Sequence, residues 1–229
     1  MPSSRLRPLS SSVGTKIVIG LSGLFLVLYL LIHVGGNLLV FFGPQVFNTY
    51  AYNMEVRNPT LPILEIIILV GFLIHIFKTI RMYLGNAAAR PVAYKKKERA
   101  GYTSRKSFAS STMIFGGLWV IIFLIIHVKA FRFSPEIEWP GGGRDLYRQE
   151  MAVFANPLMT AFYVVSMLVV GSHLWHGFSS AFQSLGLVHA RWTPRLLVVS
   201  KVLAVLIAGA FIVIAIWAYT QHGIGEVAR

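Results

Sequence analysis

Five apolar runs, each long enough to cross a bilayer, leave this chain little choice of fold. A helix needs about 20 consecutive apolar residues to span the hydrocarbon, and such runs occupy Ile17–Phe42, Leu61–Met82, Thr112–Phe131, Pro157–Phe182 and Leu196–Tyr219. Of the 229 residues 55% are hydrophobic and 13% charged, about half the charged share of an ordinary soluble domain. Backbone polar groups in hydrocarbon must be satisfied within their own segment. The expected fold is therefore all-α: one integral membrane domain over residues 1–229, a bundle of five transmembrane helices. The first run follows Arg5, Arg7 and Lys16 as a secretory leader would, but it is too long for a leader's apolar region and no small-x-small cleavage site follows it. It is expected to stay in the mature protein.

Charge orients the bundle, because Lys and Arg collect in cytoplasmic loops. Arg5, Arg7 and Lys16 precede the first helix; Lys78, Arg81, Arg90, Lys95, Lys96, Lys97, Arg99, Arg105 and Lys106 cluster at the second connection; Arg191, Arg195 and Lys201 mark the fourth. The first connection sets Arg57 against Glu55, and the third sets Lys129, Arg132, Arg144 and Arg148 against Glu136, Glu138, Asp145 and Glu150. The N-terminus is thus expected in the cytoplasm of a multi-pass protein of the cell inner membrane. The net charge of +13 is mostly topology, a basic inner face beside anionic lipid, and calls for no nucleic acid.

With a topology, the histidines acquire depths. His33 lies 17 residues beyond Lys16, about 26 Å outward at the helical rise, and His127 is about as far along the third helix. His75 stands six residues before Arg81, and His173 lies before the basic stretch that begins at Arg191. Two histidines therefore sit toward the outer surface and two toward the inner one, one from each of the first four helices. A polar side chain in hydrocarbon costs a few kcal/mol unless it is satisfied or functional, and four such costs in two level pairs call for a common reason. Imidazoles facing each other across a bundle are the axial ligation of a b-type haem, so two haems b are expected. Structural zinc needs four close N or S donors, and neither level offers a third. The chain has no cysteine, which excludes covalent c-type haem, iron-sulfur clusters and disulfides on it.

A flat macrocycle also needs room. Gly116 lies 11 residues before His127, and Ser22, beside Gly23, holds the same offset from His33; both reach the inner histidine level, about 16 Å away. Gly71, Gly177 and Gly36 lie within a turn of His75, His173 and His33. The alternative for each is simple close packing of helices.

The segments SGLFLVLYLLIHVGGNL, GFLIHIFKTIRMY and SHLWHGFSSAFQSLG, with His33, His75, His127 and His173 on five helices, resemble the dihaem cytochrome b subunit of succinate:quinone oxidoreductases, the succinate dehydrogenase and fumarate reductase complexes. The resemblance spans nearly the whole chain. It implies that His33 and His127 hold the outer haem, and His75 and His173 the inner one. His173 matches the fourth ligand by preceding Gly177 by four residues, which leaves His176 beside a propionate or a polar neighbour; a swap of the two is the alternative. It further implies a flavoprotein with FAD and an iron-sulfur protein docked on the cytoplasmic face, and a membrane quinone, with menaquinone expected. The chain would be the non-catalytic electron-transfer subunit of that enzyme.

Quinone chemistry needs a proton carrier. Glu65, at the border of the second helix, is the candidate and Glu55, in the loop before it, the alternative; Glu65 could instead face water or pair with Arg57. Tyr50, Tyr52 and Trp139 could line such a pocket or form an interfacial belt. Arg81, Lys78 and Arg132 are placed to neutralise haem propionates or to snorkel to headgroups. Two other classes compete: a dihaem cytochrome b anchoring a hydrogenase or formate dehydrogenase, and a transporter relaying protons through its histidines.

Overall fold

Helix ends reach the interface, and there polar side chains take over from the backbone. The computed structural model describes residues 11–89 and 112–227; the basic residues Arg5, Arg7, Arg90, Lys95, Lys96, Lys97, Arg99, Arg105 and Lys106 lie outside them. Ser11 accepts from the Gly14 N–H at 3.0 Å and starts α1, Ser12–Asn37, which tightens into a 3₁₀ segment, Leu38–Phe42. Gly43, at φ +88°, then turns the chain into α2, Pro44–Glu55, with proline in its first turn where no N–H is needed. The helix α3 is Leu61–Ala88 and α4 is Met113–Phe131. Asp145 accepts from the Arg148 N–H at 2.9 Å to cap α5, Leu146–Phe154, and Asn156 does the same for Leu158 at the start of α6, Pro157–Ser184. The last helix, α7, is Thr193–Val227.

Among the described residues five helices are long and apolar enough to cross a membrane: Ser12–Phe42, Leu61–Ala88, Met113–Phe131, Pro157–Ser184 and Thr193–Gln221. This is the expected all-α membrane bundle. The differences are at the ends: α1 begins earlier than Ile17 because Ser11 caps it, and α3 runs past Met82 to Ala88. The short helices α2 and α5 are not among the expected elements.

Packing is uneven. Val27, Met167, Val170, Leu174, Ala204, Ile207 and Ala208 form a buried core where α1, α6 and α7 meet. Small residues let these backbones close: a Cβ on Gly171 would stand 3.0 Å from the Ala208 methyl, and one on Gly20 would stand 3.2 Å from the Ala181 carbonyl oxygen. By contrast, α3 and α4 contain no buried residue among those described. The first lies along α1 and the second along α6, and they scarcely touch each other. Inside the membrane α4 is tied to α6 by Trp119, whose Nε1 donates to Ser166 Oγ at 3.0 Å.

The end of the bundle that carries His33 and His127 is closed by α2 and α5. Fully buried Asn48 on α2 donates to Asp145 Oδ1 at 2.7 Å and accepts from the Tyr147 N–H at 2.9 Å, so one side chain joins the two connections. Buried Arg144 donates to the Phe131 carbonyl at 2.7 Å and to Gln149 Oε1 at 3.0 Å; Gln149 donates to the Ala130 carbonyl at 2.8 Å and bonds Ser134. These carbonyls belong to the last turn of α4, which has no helical donors of its own. Asn48→Ala leaves Asp145 and the Tyr147 N–H short of a buried partner, and such a loss costs about 1–3 kcal/mol. The variant is expected to melt at lower temperature in detergent, with the connections around α2 and α5 cut first in limited proteolysis; an unchanged melt and digestion pattern would contradict the Asn48 clasp.

Candidate functional site

The first four membrane helices bring their histidines together in two pairs. His33 of α1 meets His127 of α4, with ring centroids 5.9 Å apart and planes at 86°. His75 of α3 meets His173 of α6 at 6.5 Å and 70°. All four rings are half-buried. The pairing joins first helix to third and second to fourth, as the depth argument anticipates.

Each pair sits at its own level. A Cβ on Gly23 of α1 would stand 3.2 Å from the His75 ring, and a Cβ on Gly117 of α4 would stand 3.7 Å from the His173 ring. Gly23 precedes His33 by ten residues, and Gly117 precedes His127 by ten. Two independent helices therefore put the levels about 15 Å apart along their axes.

Most of the facing nitrogens have a second contact behind them. The Ser22 hydroxyl donates to the Val18 carbonyl at 2.7 Å, which leaves its oxygen to accept from His75 Nδ1 at 3.1 Å. That arrangement sets the proton on Nδ1 and a lone pair on Nε2. His127 Nδ1 lies 3.3 Å from the Tyr163 hydroxyl, and His33 Nδ1 has a long contact of 3.4 Å to Asn37 Nδ2. His173 Nδ1 is buried with no hydrogen-bond partner among the described residues. No hydrogen bond engages Nε2 of any of the four among those residues, so each pair presents free imidazole nitrogens. Tyr29 stacks on His33 at 5.4 Å and Phe123 on His127 at 5.5 Å, giving the outer pair an aromatic jacket.

Several expected neighbours are placed otherwise. Ser22 is a hydrogen-bond partner of His75 rather than mere clearance. Gly117, not Gly116, faces the His173 ring; Gly116 looks toward Val169 and lines a cavity of about 440 Å³ shared with Trp119, Ser172 and His173. Gly71, Gly177 and Gly36 lie against Phe25, Met113 and Tyr50, so helix and side-chain packing accounts for them. His176 Nε2 lies 3.0 Å from Ser180 Oγ on its own helix, and the ring that faces His75 is that of His173. Arg81 is exposed on α3 and has no polar partner among the described residues.

The two carboxylate candidates share a site. Glu55 and Glu65 line one cavity of about 260 Å³ with Arg132, Glu136 and Arg144, at the end of the bundle closed by α2 and α5. Arg132 Nε is 3.2 Å from Glu65 Oε1, and Arg144 Nη1 is 3.8 Å from Glu55 Oε1. Glu65 thus pairs with Arg132 and not with Arg57, which lies over the Tyr52 ring at 5.4 Å. Burial raises the Glu55 carboxyl above its ordinary value, against the opposing pull of Arg144. Tyr52 packs against Gly142 and Gly143, and Trp139 against Gly141; Gly143 lines the cavity, and the two aromatic rings do not.

Glu150 is the residue that charge counting misplaces. On α5 it is 4% exposed, and burial alone pushes its carboxyl up to about 8, so it does not simply balance an outer cation. The only local signal in LYRQEMAVF is its amphipathic spacing, which sets Glu150 one turn before buried Phe154.

Among the described residues no group of three or more His, Cys, Asp or Glu could hold a metal ion; the arrangement is of facing pairs. Free Nε2 atoms, a donor-acceptor partner behind His75 and glycine beside the inner rings fit a flat group ligated from both sides. No family model matches the chain, and no curated protein or solved structure matches it. The class defined here is a five-helix membrane protein with two stacked histidine pairs.

Burial of Glu150 has a consequence for stability. The unfolded carboxyl titrates near 4.5 and the folded one near 8, so stability is fully present below the lower value. It is lost as pH rises toward the upper one, at about 1.4 kcal/mol per pH unit. Glu150→Gln should flatten that slope in thermal melts across the range; equal slopes in both proteins would contradict the burial.

Proposed function

We propose that the chain is the dihaem cytochrome b subunit of a succinate:quinone oxidoreductase, passing electrons between a soluble flavoprotein and iron-sulfur pair and a membrane quinone. The observation that carries this reading is the set of two level histidine pairs with free Nε2 atoms. His33 and His127 would hold the outer haem b, His75 and His173 the inner one. A haem b supplies a one-electron couple whose potential the protein tunes through its axial imidazoles and their burial.

The chain's own work is to hold, space and insulate. Ser22 fixes the His75 tautomer, and Tyr163 lies behind His127. The helical rise keeps the two levels about 15 Å apart, and Tyr29, Phe123 and Phe211 pack against the rings of the His33–His127 pair. The basic second connection offers the cytoplasmic docking face for the FAD and iron-sulfur subunits, in the cell inner membrane. At the other end the cavity lined by Glu65, Glu55, Arg132 and Arg144 joins carboxylates to cations in one chamber, a setting suited to a quinone headgroup that exchanges protons.

Two measurements test the scheme. Pyridine haemochrome analysis of purified chain should give two haems b; replacing His33 or His127 should remove the outer one and leave the inner, whereas a ratio near one for the unaltered chain would contradict it. Glu65→Gln should leave both haems and succinate oxidation with an artificial acceptor intact while quinone-linked turnover falls about 10²-fold, in the range of general acid-base contributions. If Glu55→Gln is the variant that fails and Glu65→Gln turns over normally, the proton carrier is Glu55.

A further inference from the structure

Glu150 is a buried carboxyl with no hydrogen bond and no ion pair among the described residues, although its neighbours Arg144, Asp145 and Gln149 all have polar partners. Such a group costs several kcal/mol as an anion unless something offsets the charge. Its surroundings say what does. Phe154, one turn on along α5, packs edge-on against the Tyr163 ring with centroids 5.0 Å apart, and Met151 lies against the same cluster. Glu150 shares the face of α5 that carries Phe154, four residues on, and the Tyr163 hydroxyl stands 3.3 Å from His127 Nδ1. Carboxyl, phenol and imidazole therefore lie in sequence from the closing helix α5, through α6, to the outer pair.

We propose that Glu150 is a proton-binding site coupled to the outer histidine pair: one proton enters its carboxylate from the outer water when one electron reaches the centre held by His33 and His127, and Tyr163 transmits the coupling to His127. The inference rests on the proposed haem at that pair. The balance would be one electron, from a quinol or the iron-sulfur partner, and one proton, from outside water; a haem held by His33 and His127 would take the electron and the Glu150 carboxylate the proton. Reduction removes one positive charge from the centre, which withdraws support from the nearby anion and raises its proton affinity. By linkage, the proton favours the reduced centre to the same extent.

Few other charges compete. Tyr147, one turn back on α5, is the other titratable group that Glu150 acts on, and its hydroxyl is held above the ordinary value by burial first and Glu150 second. Arg144 turns toward the Phe131 carbonyl, Gln149 and Glu55; Asp145 bonds Asn48. Arg148 is exposed. From α7 the packed residues are Ala215 and Ala218, and from α2 the buried polar group is Asn48, none of which titrates.

Potentiometric titration of the haem-loaded full chain between about pH 6 and about pH 9 tests the proposal. The outer midpoint potential should fall as pH rises, by up to about 59 mV per unit, the one-electron equivalent of a tenfold change, while the inner one stays flat. Glu150→Gln should flatten the outer slope, Glu150→Asp should retain it, and Tyr163→Phe should reduce it without loss of haem. A flat outer potential in the unaltered chain, or an undiminished slope in Glu150→Gln, overturns the assignment. Infrared pH titration supplies a readout that needs no haem: the carboxylic C=O band of Glu150 should disappear as pH rises through the neutral range and be absent from Glu150→Gln. Ionisation complete below about pH 6 overturns the proton site directly. A chain that binds no haem defeats the reading of the histidine pairs and the coupling with it, and is recognised by its optical spectrum before any potential is measured.

Discussion

Inside hydrocarbon a polar group must find its partner within the chain, and that requirement governs this molecule. Trp119 reaches Ser166 across two helices, Ser22 meets His75, and Tyr163 meets His127. Where the last turn of α4 runs out of its own donors, Arg144 and Gln149 arrive from the next connection to bond the exposed carbonyls. Among the described residues the buried side-chain atoms without a hydrogen-bond partner are few, and one of them, His173 Nδ1, lies at a proposed redox centre.

The same requirement explains why packing is tight in one half and open in the other. The helices α1, α6 and α7 close on glycine and alanine and bury a continuous apolar core. The flanking helices α3 and α4 contribute one histidine each and contain no buried residue. A bundle closed equally on all sides would bring the four rings into contact with apolar side chains and leave nothing between them for a flat ligand. Here glycine stands beside both rings of the inner pair, and aromatic rings surround the outer one.

Much of this was legible in the amino-acid order, for a simple reason: depth in a membrane helix is residue number multiplied by a constant rise. Runs of about 20 apolar residues announce the spans, and counting from Lys16 or back from Arg81 levels His33 with His127 and His75 with His173. Helix rotation is another matter. Successive residues point about 100° apart, so counting alone could not tell Gly116 from Gly117, nor show that Ser22 turns its hydroxyl onto His75. The short helices α2 and α5 have mixed composition, and their order comes from the bonds of Asn48 and Arg144 to residues far away in the chain. Glu65 and Glu55 looked like alternatives because one lies in a helix and the other before it; folding puts both in one cavity and gives Glu65 to Arg132 rather than Arg57. Glu150 read as a surface charge because nothing local says that α5 folds back over Tyr163.

The central claim is that each histidine pair ligates one iron from both sides. Electron paramagnetic resonance of the oxidised, purified chain tests it most directly. Two distinct low-spin ferric signals of the bis-imidazole kind, coupled across about 15 Å, are the predicted result. A high-spin signal, or a single low-spin species accounting for all the iron, would contradict it.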